Sequence, residues 1–95
     1  MFNKLKQIKD LREKAKRMQN ALKDESVEAT GGHGKLKMTM SGNQEVTSVN
    51  IDSELMDVGK KAVLEDAVKE ATNSAIKKAQ KLMVQKMQKM GELKI

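Results

Sequence analysis

The spacing of apolar residues changes twice along this chain, and those changes restrict its possible folds more than any other feature. Between residues 3 and 24, Ile8, Leu11, Ala15, Met18 and Leu22 recur at alternating intervals of three and four, the heptad seam of an amphipathic helix. Neither glycine nor proline interrupts this stretch, and Ile8 is its only β-branched residue, so propensity agrees with pattern. From Ser26 to Asp52 the period falls to two. Val27 to Thr30 reads as a short strand, Gly31-Gly32-His33-Gly34 as a hairpin connection, and Lys35 to Ser41 as a strand with Leu36, Met38 and Met40 on one face. Ser41-Gly42-Asn43-Gln44 supplies a second turn, followed by a third strand, Thr47 to Ile51, with Val49 and Ile51 facing inward. Val46 is out of step with that alternation and is placed in the turn or at a bulge. Asp52 to Met56 forms one helical turn, Gly59 releases the chain, and a final helix runs from about Lys60 to Met90, with Gly91 ending it. The expected architecture is α+β: an α-β-β-β-α protomer, with a three-stranded antiparallel meander between long terminal helices, in a single domain over residues 1–95.

The two helices call for more cover than one copy supplies. A helix of about 30 residues is roughly 45 Å long, whereas strands of five to seven residues span about 17 to 24 Å. On that helix Leu64, Val68, Ala71, Ala75, Ile76, Ala79, Leu82, Met83, Met87 and Met90 form an apolar band, whose far half overhangs the sheet. Each large apolar side chain left in water forfeits about 1.5 to 3 kcal/mol. A homodimer is therefore expected, with Ile8, Leu11, Met18 and Leu22 of the first helix and Leu82, Met83 and Met87 of the last at the interface or in helix-on-helix packing. The methionine spacings keep side chains on one face, and Met fills adaptable surfaces, so a soft-metal site is not expected.

Little in the chain suits catalysis. There is no cysteine to act as nucleophile or to form a disulfide, and the single histidine, His33, lies in a glycine-rich turn. Gly31 to Gly34 joins two strands and lacks the G-K-[ST] ending and following helix of a phosphate-binding loop. Paired acids such as Glu65 and Asp66 fall where capping and solubility explain them. The reading is of a non-enzyme with no cofactor, no metal and no small-molecule substrate. The longest stretch free of charged residues, Met38 to Gln44, is far below the roughly 18 apolar residues of a membrane span, and no export signal is visible at the N-terminus. A cytoplasmic protein without a membrane partner is expected.

Charge is the positive signal. The chain carries a net charge of +6, and its ends are basic while its middle is acidic: residues 1–25 carry +4, residues 26–59 carry −3 and residues 60–95 carry +5. Such a field draws polyanions to the terminal helices. Lys9, Lys16 and Lys23 share one heptad position, spaced by about 10.5 Å along the helix, with Lys6 and Arg17 beside them. On the last helix Lys77, Lys78, Lys81 and Lys89 lie broadly opposite the apolar band. These nine residues are the expected phosphate contacts. Phe2 is the only aromatic residue, so unpaired bases have no stacking platform, and duplex is the expected partner. Lysines outnumber arginines 17 to 2, leaving few bidentate guanine readers and implying weak sequence selectivity.

The lysine-rich heptad helix is followed by Val27-Glu28-Ala29-Thr30-Gly31-Gly32-His33-Gly34-Lys35-Leu36-Lys37-Met38 and by Val49-Asn50-Ile51-Asp52 before Glu54-Leu55. Leu64-Glu65-Asp66-Ala67-Val68 and Ala71-Thr72-Asn73-Ser74-Ala75 come next. Together these segments resemble the YbaB/EbfC family of nucleoid-associated proteins over nearly the whole chain. The resemblance implies a tweezer-shaped homodimer with projecting helices, DNA binding with limited sequence preference, and a place in the nucleoid with influence on its organisation and on gene expression. Ser53 stands where that family often has proline after Ile-Asp, a benign change because serine also starts helices well. The Gly/Pro-containing tail of many members has no counterpart after Gly91. Two other readings stay open: a protein-interaction module docking its helices onto a replication, repair or other assembly partner, and a membrane-surface helix from Lys77 to Met90, which lacks interfacial Trp or Tyr.

Overall fold

The computed structural model describes residues 3–91, with side chains from Leu5 onward. Helix α1 (Asn3–Lys23) leads into strands β1 (Ser26–Gly31), β2 (Leu36–Ser41) and β3 (Val46–Ile51). Two short 3-10 turns, Ser53–Met56 and Val58–Lys60, then lead into helix α2 (Lys61–Lys89). The strands form one antiparallel sheet in the order β1-β2-β3, so the α+β meander between two long helices is what the sequence led us to expect. Asp52 and Asp57 start the two short turns, their carboxylates accepting from the Glu54 and Gly59 amides at 2.9 Å each.

Val46 resolves its own parity problem. Leu36 pairs with Ile51, Met38 with Val49 and Thr39 with Ser48, after which the register shifts and Met40 pairs with Val46. Thr47 is the extra residue of a bulge, and its hydroxyl donates to the Thr39 carbonyl at 3.2 Å. Val46, Val49 and Ile51 thereby share a face with Met40, Met38 and Leu36.

Helix α2 lies across that face, but over β1 and β2 only. The core joins Ala29, Leu36, Met38, Met40 and Leu55 to Ala67, Ala71, Ala75 and Ala79. The four helical alanines repeat every fourth residue and make one ridge of methyl groups, flanked by the partly buried Leu64 and Ile76. This corrects the expected apolar band: Ala67 belongs to the buried stripe, and Val68 is exposed. Large residues dominate a hydrophobicity count, yet close approach of a helix to a sheet selects the small ones. Gly31 meets the same demand. It ends β1 rather than opening the turn, and a Cβ there would stand 2.2 Å from the Ala67 carbonyl oxygen. Gly32, His33 and Gly34 then carry φ of 59°, 57° and 85°, a left-handed path that two glycines make cheap.

Strand β3 is turned the expected way but is not covered. None of its residues is buried, and Val46 and Val49 are each 48% exposed and Ile51 37%. Inward-facing therefore does not mean enclosed here, because α2 stops short of the third strand.

Helix α1 is held at its C-terminal end. Leu22 is buried against Gly42, where a Cβ would meet the Leu22 carbonyl oxygen at 2.7 Å. The Asn43 side-chain amide donates to the Gln19 carbonyl at 3.1 Å. Just beyond the helix, Lys86 pairs with Glu25 at 2.7 Å. Toward the other end the seam opens to solvent, Leu11 being 65% and Leu5 82% exposed. The result is elongated, 63 × 22 × 21 Å.

Candidate nucleic-acid interface

Each helix turns a row of lysines away from its packed face, while Lys14, Lys78 and Lys86 lie toward the rest of the chain. On α2 the buried ridge includes Ala75 and Ala79, and Lys77 and Lys81 follow each of these by two residues, about 200° round the helix. On α1 the exposed Lys9, Lys16 and Lys23 repeat every seventh residue, with Lys6 and Arg17 exposed nearby. Among the described residues no ion pair engages Lys6, Lys9, Lys16, Lys23, Lys77, Lys81 or Lys89.

The remaining cations are distributed differently. Lys78 donates to the Glu28 backbone carbonyl at 2.7 Å, tying α2 to β1, so part of its hydrogen-bonding capacity is already used within the chain. Lys35 pairs with Glu54, and Lys69 lies 3.9 Å from Asp66. The hydrogen bond from Lys86 holds the Glu25 carboxyl below the ordinary glutamate range, helped by the charges of Lys86 and Lys89. Asp10 and Glu13 are exposed between Lys9 and Lys16. Between Lys16 and Lys23 the helix carries no acid, and the exposed Asp24 follows Lys23 directly.

The expected interface residues fall into three groups. Leu22 is sealed inside the protomer, and Met18, Leu82, Met83 and Met87 are half-buried. Met18, Met83 and Met87 come together with Leu11, Lys14 and Ala15 along an apolar groove of about 410 Å³ between the two helices. Ile8 and Leu11 remain exposed on the open part of the seam.

Periodicity gave no sign of a second feature. The β2–β3 turn folds against α1 and leaves a polar cleft of about 590 Å³, lined by Gln19, Asn20, Lys23, Ser41, Asn43, Glu45 and Thr47. The turn is internally braced, with the Asn43 and Glu45 amides both donating to the Ser41 hydroxyl at 3.3 Å. Among the described residues no group of three or more His, Cys, Asp or Glu side chains is arranged to hold a metal ion. No described helix is long and apolar enough to cross a membrane.

The chain is similar to several known proteins. A nucleoid-associated protein of Caldanaerobacter subterraneus is 38% identical over 73 residues, which make up 77% of this chain and 66% of that protein. This chain therefore spans about two thirds of that relative's length. A nucleoid-associated protein of Gloeobacter violaceus is 38% identical over 86 residues, 90% of this chain and 77% of its own. The crystal structure of an uncharacterized protein from Helicobacter pylori superposes with a TM-score of 0.71, covering 90% of this chain and 98% of that one at 17% identity, and so shares the fold. The profile of the YbaB/EbfC DNA-binding family matches residues 1–93, and the chain belongs to that family.

Proposed function

We propose that residues 1–95 act as one DNA-binding domain that grips duplex DNA as a homodimer, through lysine–phosphate contacts with weak sequence selectivity, in the bacterial nucleoid. The observation that carries the reading is the run of exposed lysines, unpaired among the described residues, on the outward faces of both helices, chiefly Lys9, Lys16, Lys23, Lys77 and Lys81. Lys6, Arg17, Lys78 and Lys89 complete the contact set. Dimerisation is supported by two uncovered apolar strips, Ile8 and Leu11 on α1 and Val46, Val49 and Ile51 on β3. A second copy laid on them removes that surface from water and doubles the basic area. Partners bearing this chemistry are other DNA duplexes and the protein itself, in the cytoplasm where the nucleoid lies.

Fluorescence anisotropy with random-sequence duplexes at several salt concentrations tests this. With six phosphates neutralised, log K against log salt has a slope of about −5. The combined variant Lys9→Glu, Lys16→Glu and Lys81→Glu weakens binding about 100-fold or more by removing three of those contacts. A flat salt response, or unchanged affinity in the folded triple variant, overturns the reading. The apolar groove of Leu11, Met18, Met83 and Met87 favours a second reading, in which the helices dock onto a protein of a replication, repair or other assembly. Partners captured from nuclease-treated lysate would then persist without DNA.

A further inference from the structure

The C-terminal part of α1 differs from the rest of that helix. It is braced by three separate contacts: Leu22 packed on Gly42, Asn43 on the Gln19 carbonyl, and Lys86 on Glu25 just beyond the helix. Here two exposed amides, Gln19 and Asn20, border the polar cleft. Asn20 follows Lys16 by four residues and precedes Lys23 by three, so all three share the outer face of the helix. Lys16 and Lys23 are about 10.5 Å apart along the axis, with Asn20 between them. Glu45 lines the cleft's other wall. Lys23 lines the same cleft and offsets that carboxylate, so the lining carries no formal net charge and, with its amides and hydroxyls, suits a polar uncharged group such as a base edge.

We infer that Asn20 reads an adenine in the major groove of duplex DNA, its amide donating to N7 and accepting from the N6 amine, while Lys16 and Lys23 hold phosphates on either side. The inference rests on the duplex-binding reading above and adds a specificity-determining residue to it. Bracing is what makes this segment fit for the task, since base readout needs a side chain on a fixed backbone, whereas phosphate contacts tolerate a loose one. Asn is a bidentate partner for adenine, and one such pair discriminates by about fivefold or more.

The test is selection of bound duplexes from a randomised pool by the full chain, its Asn20→Ala variant and a Gln85→Ala control, each checked for fold by circular dichroism. Asn20 is exposed, so its truncation leaves the core intact. The expected result is a position where wild type and Gln85→Ala favour adenine by about fivefold or more, with that preference erased in Asn20→Ala and affinity for the unselected pool kept within about threefold, as loss of one base contact without loss of phosphate contacts requires. Retained adenine preference in Asn20→Ala overturns the inference, as does duplex binding by wild type without any base preference. Both outcomes leave phosphate binding standing. Failure of wild type to retain duplex at all overturns the phosphate-binding reading and this inference together.

Discussion

A methyl group on Gly31 would stand 2.2 Å from the Ala67 carbonyl oxygen, an approach that only a shift of α2 or β1 can relieve. Gly31→Ala is expected to destabilise the fold by about 1–3 kcal/mol, the usual range for forcing extra volume into a packed contact, measured by urea denaturation. Gly91→Ala meets no atom within 4 Å and strains only its local left-handed turn, so it should cost less. The sequence marked Gly31 as a turn residue because glycines cluster there. Its actual role comes from a helix 36 positions away, which no local pattern encodes. Glu25 is a second case of a long-range role, since its carboxyl is held low by Lys86 across the molecule. A carboxylate whose folded-state pKa is depressed stabilises the fold fully above the ordinary glutamate range, and that contribution disappears as pH falls through the lower folded-state value. Thermal melts over a pH series should therefore show wild type exceeding Glu25→Gln most at neutral pH and converging with it in acid. The pair is partly exposed, so the gap should also shrink in high salt.

At the scale of elements, much was legible. The heptad seam, the alternation of β2 and the glycines set the ends of both helices and all three strands to within about two residues, as strongly periodic segments allow. Val46 was legible as an irregularity, because a one-residue slip would reverse the face of every side chain after it. Most of the stripe of α2 that meets the sheet was legible, Leu64, Ala71, Ala75, Ile76 and Ala79 all lying in the expected band, but Ala67 was missed and Val68 wrongly included, since a wheel ranks residues by hydrophobicity and the contact selects them by size. Coverage of β3 was not legible either, because alternation reports direction and says nothing of what lies opposite. That uncovered strand carries an element-scale prediction. Val49→Asp, combined with Ile51→Lys, alters side chains that are already partly in water, so circular dichroism should show a retained fold. Sedimentation velocity should show twice the chain mass for wild type and the single-chain mass for the double variant. Equal masses for both would remove β3 from the proposed dimer interface.

Considered whole, the molecule is 63 Å long, and its basic residues are spread over two helical flanks rather than gathered in a pocket. That distribution was readable beforehand, because charge blocks and heptad positions are properties of the sequence itself. The cleft beside Asn20 was not, since it exists only where the β2–β3 turn folds back onto α1. The ridge of four alanines carries a last consequence. A buried methyl-sized group contributes roughly 0.8 kcal/mol, against about 1.5–3 for a larger aliphatic side chain, and Leu22 and Leu36 are the largest side chains that are wholly enclosed among the described residues. A subunit so lightly ballasted has little reserve when alone, and in the proposed dimer folding and association become one mass-action equilibrium. Its melting temperature then climbs with its own abundance, so a cell that makes more of this protein also makes each copy harder to unfold.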